Sequence, residues 1–222
     1  MLKKYKELLN INNSFLIDLF NKVEHPWEVL PLLKDYILEI ITNLDNNYIK
    51  YDDNVYIHKD AKIAKSACII GPTIICDGAD IRHNAYIRGN AIICENVVIG
   101  NCTEIKNAIL FNNAKCPHFN YVGDSILGEN SHLGAGVIIS NVKNDKKNIN
   151  IKFDNQIIDT KLKKFGAIIG NNVEIGCNSV ICPGTIIYPN TDIYPLTRVR
   201  GVIGPNKIVK DIDNIVDKNK KK

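Results

Sequence analysis

The first seventy residues contain no glycine; all fourteen glycines fall at or after Gly71. A loop that cradles a nucleoside triphosphate needs glycine-rich backbone whose amides face the phosphates, so the first fifty residues offer none of the required kind. No apolar run approaches the roughly 18 residues of a membrane span, which argues for a soluble, cytoplasmic chain. Seven cysteines form an odd set without a C-x-x-C pair, against both a closed disulfide framework and a zinc ribbon. Reduced thiols in a cytoplasm fit that usage. The five histidines, at 25, 58, 83, 118 and 132, lack close paired spacing, so no metal site is expected. The formal charge is +4, and Lys218, Lys220, Lys221 and Lys222 account for all of it. That balance does not indicate a nucleic-acid footprint, and no nucleic-acid partner is expected. At 45% hydrophobic and 23% charged, the 222 residues suit one folded domain with a small appendage.

What is present is a period of six. Nine isoleucines recur without a gap from Ile57 through Ile63, Ile69 and onward to Ile105. Four residues after each stands Ala61, Ala67, Thr73, Ala79, Ala85, Ala91, Val97, Thr103 or Ile109, a second inward position kept mostly for small side chains. The repeat resumes at Leu127, Leu133 and Ile139, and again from Ile169 to Val199. An amphipathic helix has no use for a strict period of six. The pattern resembles the hexapeptide repeat of left-handed parallel β-helices. That resemblance implies a mainly β fold in which three hexads make a triangular coil and residues eighteen apart stack at about 4.8 Å.

Residues 1–50 read as a small helical N-terminal cap suited to cover a raw end of the solenoid. Ser14 precedes an apolar group, and a stripe runs through 30, 33, 37, 40 and 41. The Asn-rich stretch 43–54 reads as the junction. The β-helix is expected over 51–206, with 207–222 as a C-terminal tail of short strand or helix and frayed end. The hexads lose phase near 111–126 and 141–166, and both breaks are expected to be loops. The second reads either as a mobile surface loop or as an arm reaching a neighbouring subunit.

Arg88 and Lys106 are eighteen apart, each directly after an inward isoleucine. In the inferred fold they stack, and two aligned cations without counter-ions repel. A phosphate between them would remove that cost, although two solvated surface charges remain the blander reading. His118 follows twelve residues after Lys106. Cys116, two before His118, offers a rival as nucleophile. Cys76 and Cys94 should stack as small side chains in one column.

The run from Arg88 to Gly204 resembles the acetyltransferase domain of the bifunctional N-acetylglucosamine-1-phosphate uridyltransferase and glucosamine-1-phosphate N-acetyltransferase. The likeness rests on Glu104-Ile105-Lys106-Asn107-Ala108, on Pro117-His118-Phe119-Asn120-Tyr121-Val122-Gly123-Asp124-Ser125, and on Leu133-Gly134-Ala135-Gly136 followed by Ser140-Asn141. With Pro26-Trp27-Glu28-Val29-Leu30 in its helical start, the chain is similar to a shorter subgroup often labelled pyrophosphorylases. The resemblance implies His118 as general base, and Arg88, Lys106, Tyr121, His132 and Asn141 around the sugar phosphate. It implies Asn141, Gly134, Ala135, Cys177 and Pro195 around acetyl-CoA, with no metal needed. His132 stands where the family has asparagine. A homotrimer is implied, because coenzyme A sites in the family lie between subunits.

The expected function is transfer of acetyl from acetyl-CoA to the amine of a hexosamine 1-phosphate, glucosamine 1-phosphate first. The alternative is a non-catalytic sugar-phosphate-binding or regulatory subunit. UDP-sugar pyrophosphorylase activity is not expected.

Overall fold

A computed structural model describes residues 5–11, 14–153, 156–211 and 213–218. The chain winds as a left-handed parallel β-helix, each strand pairing with its counterpart one coil on. Its first flat face carries the strands Cys68–Ile69, Tyr86–Ile87, Ile138–Ile139, Val180–Ile181 and Arg198–Val199, with the starts of Glu104–Leu110 and Tyr121–Leu127, whose ends turn onto the third face. The second carries Val98–Asn101, Lys115–His118, His132–Leu133, Glu174–Ile175 and Asp192–Ile193 among others. The third runs from Val55–His58 through Thr73–Ile75 and Ala91–Ile93 to Thr185–Ile187. The hexad aliphatics, Ile75, Ile81, Ile87, Ile93, Ile99 and Ile105 among them, fill the axis.

The corners explain the period. A hexad turns the corner through one residue at positive φ, and asparagine tolerates that region better than any residue but glycine. Asn84, Asn90, Asn96, Asn107, Asn113, Asn130, Asn172, Asn178 and Asn190 hold φ between 48° and 61°. The corner sequence 96, 102, 107, 113, 119, 124, 130 contains two steps of five. Coils crossing them therefore shorten: Ala91 pairs with Ala108, and Lys115 with His132.

This corrects the expected loop at 111–126. Lys115–His118 and Tyr121–Leu127 are strands, paired in parallel with the coils before and after. Dropping one residue at a corner changes which residues face inward without breaking the ladder. Hence Ala108 and Leu110 enter the axis and Ile109 points outward. Cys116 also points into the axis, fully buried, and burial pushes its thiol well above the ordinary value. A buried neutral thiol is no nucleophile.

The cap does not cover an end. Its 3-10 stretch Pro26–Leu32 and helices α1 (Ser14–Asn21) and α2 (Leu33–Ile40) lie along the third face, with Leu16, Phe20, Trp27, Leu33 and Ile37 in one cluster with Ile74, Ile92, Ile109 and Ile126. A third face studded with isoleucine presents far more apolar area than a coil end, and each large side chain buried there contributes roughly 1.5–3 kcal/mol. Pro26 opens the 3-10 stretch, and Glu28 accepts the N–H groups of Glu24 and His25 at 2.9 and 3.0 Å, as first-turn orphan donors require. Cys76 and Cys94 stack beneath this cap as expected.

Antiparallel strands edge the solenoid. Tyr48–Asp52, within the expected junction, pairs with Val55–His58. Lys207–Asp211 continues the second face and Asn214–Asp217 folds back on it, so the expected tail is part of the β-helix as far as it is described. The rest of the lysine tail lies outside the described residues. Where it is described, the 141–166 segment is folded rather than loop throughout. It forms a hairpin of Asn150–Phe153 and Gln156–Asp159 and buries Ile149, Ile151 and Phe165 against the cap, with the Phe165 ring 6.0 Å from that of Trp27.

Candidate active site

The groups expected to act sit on two faces meeting at one corner. His118 ends a strand of the second face, Phe119 turns the corner with φ 53°, and Tyr121 begins the strand of the first. Asn120 holds this turn from inside. It is buried, and its amide nitrogen donates to the Gly134 carbonyl at 2.8 Å while its Oδ1 accepts the His118 N–H at 3.2 Å. The His118 imidazole is exposed, with no hydrogen-bond partner among the described residues.

Arg88 and Lys106 do stack, since Ile87 and Ile105 are paired neighbours. The argument from unpaired cations fails, however, because each has a carboxylate. Arg88 donates to Glu104 at 2.7 Å, and Lys106 lies 3.4 Å from Asp124. Glu104 stands beside Tyr121 in the ladder. The Arg88–Glu104 pair is solvent-accessible, and water and salt screen such a pair, so an incoming anion can take over the guanidinium at little cost. Burial pushes the Tyr121 hydroxyl above its ordinary value, and Asp124 and Glu104 add to this. It stays protonated as a donor. Asn141 donates to the Tyr121 oxygen at 3.2 Å and to the Asp124 carboxylate.

Gly134, Ala135, Cys177 and Pro195 form a column rising from His118. The Gly136 N–H bonds the His118 carbonyl at 3.0 Å, the Asn178 N–H that of Ala135 at 2.8 Å, and the Leu196 N–H that of Cys177 at 2.9 Å. A Cβ on Gly134 would stand 2.7 Å from the Cys177 nitrogen, so glycine is required for this close stacking. The N–H groups of Gly134 and Gly136 are engaged. That of Ala135 has no partner among the described residues.

His132 is not brought to this corner. It begins its strand, in register with Lys115 rather than His118, and its Nδ1 lies 2.9 Å from Glu174. Within one chain it stands across the second face from His118.

Sequence reasoning missed Glu104, Asp124 and a groove of about 770 Å³ between the hairpin arm and the first face. Lys143, Lys152, Arg198 and Arg200 line it above Val180 and Cys182. Glu104 was legible as the same-face neighbour of Lys106 two residues on. The groove was not, since it depends on how the arm folds back.

Among the described residues, His58, Asp60 and Asp77 are the group close enough to share a cation. They lie near the start of the solenoid, away from the corner. No helix of the described residues is long and apolar enough to cross a membrane.

The repeat, the corner and the column define a hexapeptide-repeat acetyltransferase-type domain. The profile described as the GMPPB C-terminal domain matches residues 69–195, and the chain belongs to that family. Bifunctional protein GlmU of Methanococcus aeolicus is 34% identical over 238 residues, covering 98% of this chain and 54% of that protein. The bifunctional sugar-1-phosphate nucleotidylyltransferase/acetyltransferase of Sulfurisphaera tokodaii is 33% identical over 163 residues, covering 72% of this chain and 41% of that one. The chain thus spans about half the length of the curated relatives it matches. Among solved structures, the UDP-N-acetylglucosamine acyltransferase of Francisella novicida is 16% identical with a TM-score of 0.42, over 70% of this chain and 66% of that one.

Proposed function

We propose that the chain transfers acetyl from acetyl-CoA to the amine of a hexosamine 1-phosphate, glucosamine 1-phosphate being the first candidate. The observation that carries this is the meeting, at one corner, of an exposed imidazole with a face holding Arg88, Lys106 and the protonated Tyr121. The names of the curated relatives, which join sugar-1-phosphate chemistry to acetyl transfer, support it.

The amine is protonated in neutral water, and only its neutral form attacks a thioester. His118, an exposed imidazole at the corner, is suited to act as the general base. The ammonium first loses one proton to solvent; as the neutral nitrogen bonds to the thioester carbon, His118 takes a second proton from it, the carbon–sulfur bond breaks, and the imidazolium gives that proton to the departing thiolate, leaving a neutral amide and a thiol. The Ala135 N–H, which has no partner among the described residues, is suited to the developing oxyanion. Arg88 and Lys106 would hold the sugar phosphate, and Tyr121 and Asn141 the acceptor. Ala135, Cys177 and Pro195 would hold the pantetheine chain, and the cationic groove the phosphates of coenzyme A. With Arg88 and His118 on different faces, and His132 across the second, a homotrimer in which one copy's first face meets another's second would complete the site.

A thiol-release assay with amino sugars, with and without the 1-phosphate, tests this. Turnover confined to a hexosamine 1-phosphate is expected. Binding of the sugar phosphate without thiol release would instead favour a non-catalytic binding subunit.

A further inference from the structure

Asp124 belongs to none of the roles above, yet it is the best-connected charge on the first face. Its side chain is 6% exposed, and it turns the second of the two short corner steps at φ 48°. Its oxygens collect three donors: Lys106 Nζ at 3.4 Å from both, Asn107 Nδ2 at 2.8 Å from Oδ1, and Asn141 Nδ2 on Oδ2. A buried carboxylate is expensive unless paired, and this one has a cation and two amides.

The consequence reaches Tyr121. A carboxylate can only accept, so it fixes which end of the Asn141 amide faces inward. The same amide nitrogen donates to the Tyr121 oxygen at 3.2 Å, leaving the phenolic proton to point at a ligand. Gly123 makes the meeting possible, for a Cβ there would lie 2.6 Å from the Tyr121 hydroxyl and 2.7 Å from the Asn141 nitrogen. Backbone bonds close the hairpin arm on the same pair. The Gly166 N–H reaches the Asp124 carbonyl at 2.8 Å, and the Phe165 N–H reaches that of Asn141 at 3.0 Å.

We propose that Asp124 is a positioning residue that sets Lys106, Asn141 and, through Asn141, the Tyr121 hydroxyl in one register, and ties that register to the base of the hairpin arm. The effect on turnover rests on the proposed acetyl transfer; the effect on the arm does not.

Asp124→Asn keeps the volume, removes the charge and turns one acceptor into a donor facing Lys106 and Asn141. The KM for glucosamine 1-phosphate should rise about tenfold, the scale of one lost hydrogen bond to a charged group, while the Kd for coenzyme A stays within about twofold. Adding Lys106→Met should deepen the loss by less than about twofold, because groups acting as a unit are non-additive. Trypsin should cut the arm, between Lys143 and Lys164, several-fold faster in Asp124→Asn than in the unmodified chain. The exchange variant Asp124→Asn with Asn141→Asp restores the bond with donor and acceptor reversed, and should return the arm to its original cleavage rate. Multiplicative kinetic losses, or an arm cut at the same rate in every variant, would overturn the proposal. If the unmodified chain acetylates no amino-sugar phosphate, the functional reading fails and the trypsin comparison alone judges Asp124.

Discussion

A side chain's role in this solenoid depends on which of three positions it takes: axis, face or corner. His118 lies on a face at the end of its strand, so truncating it leaves the axis intact. His118→Ala should lower kcat by on the order of a hundredfold with coenzyme A binding nearly unchanged. Steady-state kinetics with calorimetry checks this, and equal activity would move the base elsewhere. Leu196 takes a corner at φ 62° while 79% exposed. A γ-branched side chain there gains little burial to offset a conformation that costs about 1 kcal/mol or more outside glycine and asparagine. Leu196→Asn should therefore raise stability by about 1 kcal/mol in chemical denaturation. A loss of stability would show that the corner needs leucine for packing. Much of this scale was legible in the sequence. Lys106, His118, Tyr121 and Asn141 of the motifs lie on two faces that meet at one corner, while the carboxylates that neutralise Arg88 and Lys106 went unread, because pairing across coils depends on side-chain reach as well as register.

Among the elements, the cap couples packing to titration. The Tyr36 hydroxyl donates to the Phe15 carbonyl, and burial, with Asp18 and Glu39 adding to it, pushes the hydroxyl up to about 12 from 10.0. Between those values the unfolded chain has lost the proton and the folded chain has kept it. Stability is full below pH 10 and falls as pH rises through that window. Denaturation followed by Trp27 fluorescence should show a midpoint that drops from about pH 9 to about pH 11, and Tyr36→Phe should flatten the drop. An equally steep decline in that variant would assign the effect to other groups. The helices themselves were foreseen, including the inward stripe at Leu30, Leu33 and Ile37. Their docking site was not, because the isoleucines beside the axial ones, Ile74, Ile92 and Ile186, carry no period that says what covers them.

For the whole molecule, the separation of the proposed site over two faces predicts association. Light scattering at micromolar concentration should give the mass of three chains, a closed cyclic assembly. A single-chain mass would leave His132 and the first-face cations unconnected. The chain should also form no UDP-sugar from UTP and N-acetylglucosamine 1-phosphate with magnesium. Its glycines serve corners and close coil contacts, and the segment before the coils is a helical cap. Pyrophosphate release abolished by mutating this protein would refute that.

The strict return of isoleucine every six residues by itself determined the class of fold, because only a coil of short strands puts every sixth side chain on one axis. Asparagines mark many of the corners, but the two five-residue steps run from Cys102 to Asn107 and from Phe119 to Asp124, where the comb of asparagines is interrupted. Read by aliphatics alone, those steps looked like a loop. Tertiary structure alone decided the rest: the face on which the cap lies, the folding of the arm back onto Trp27, and the burial of Asp124 among three donors. Each is a contact between segments far apart in the chain. Its energy depends on shape and area meeting in space, and no local period records that.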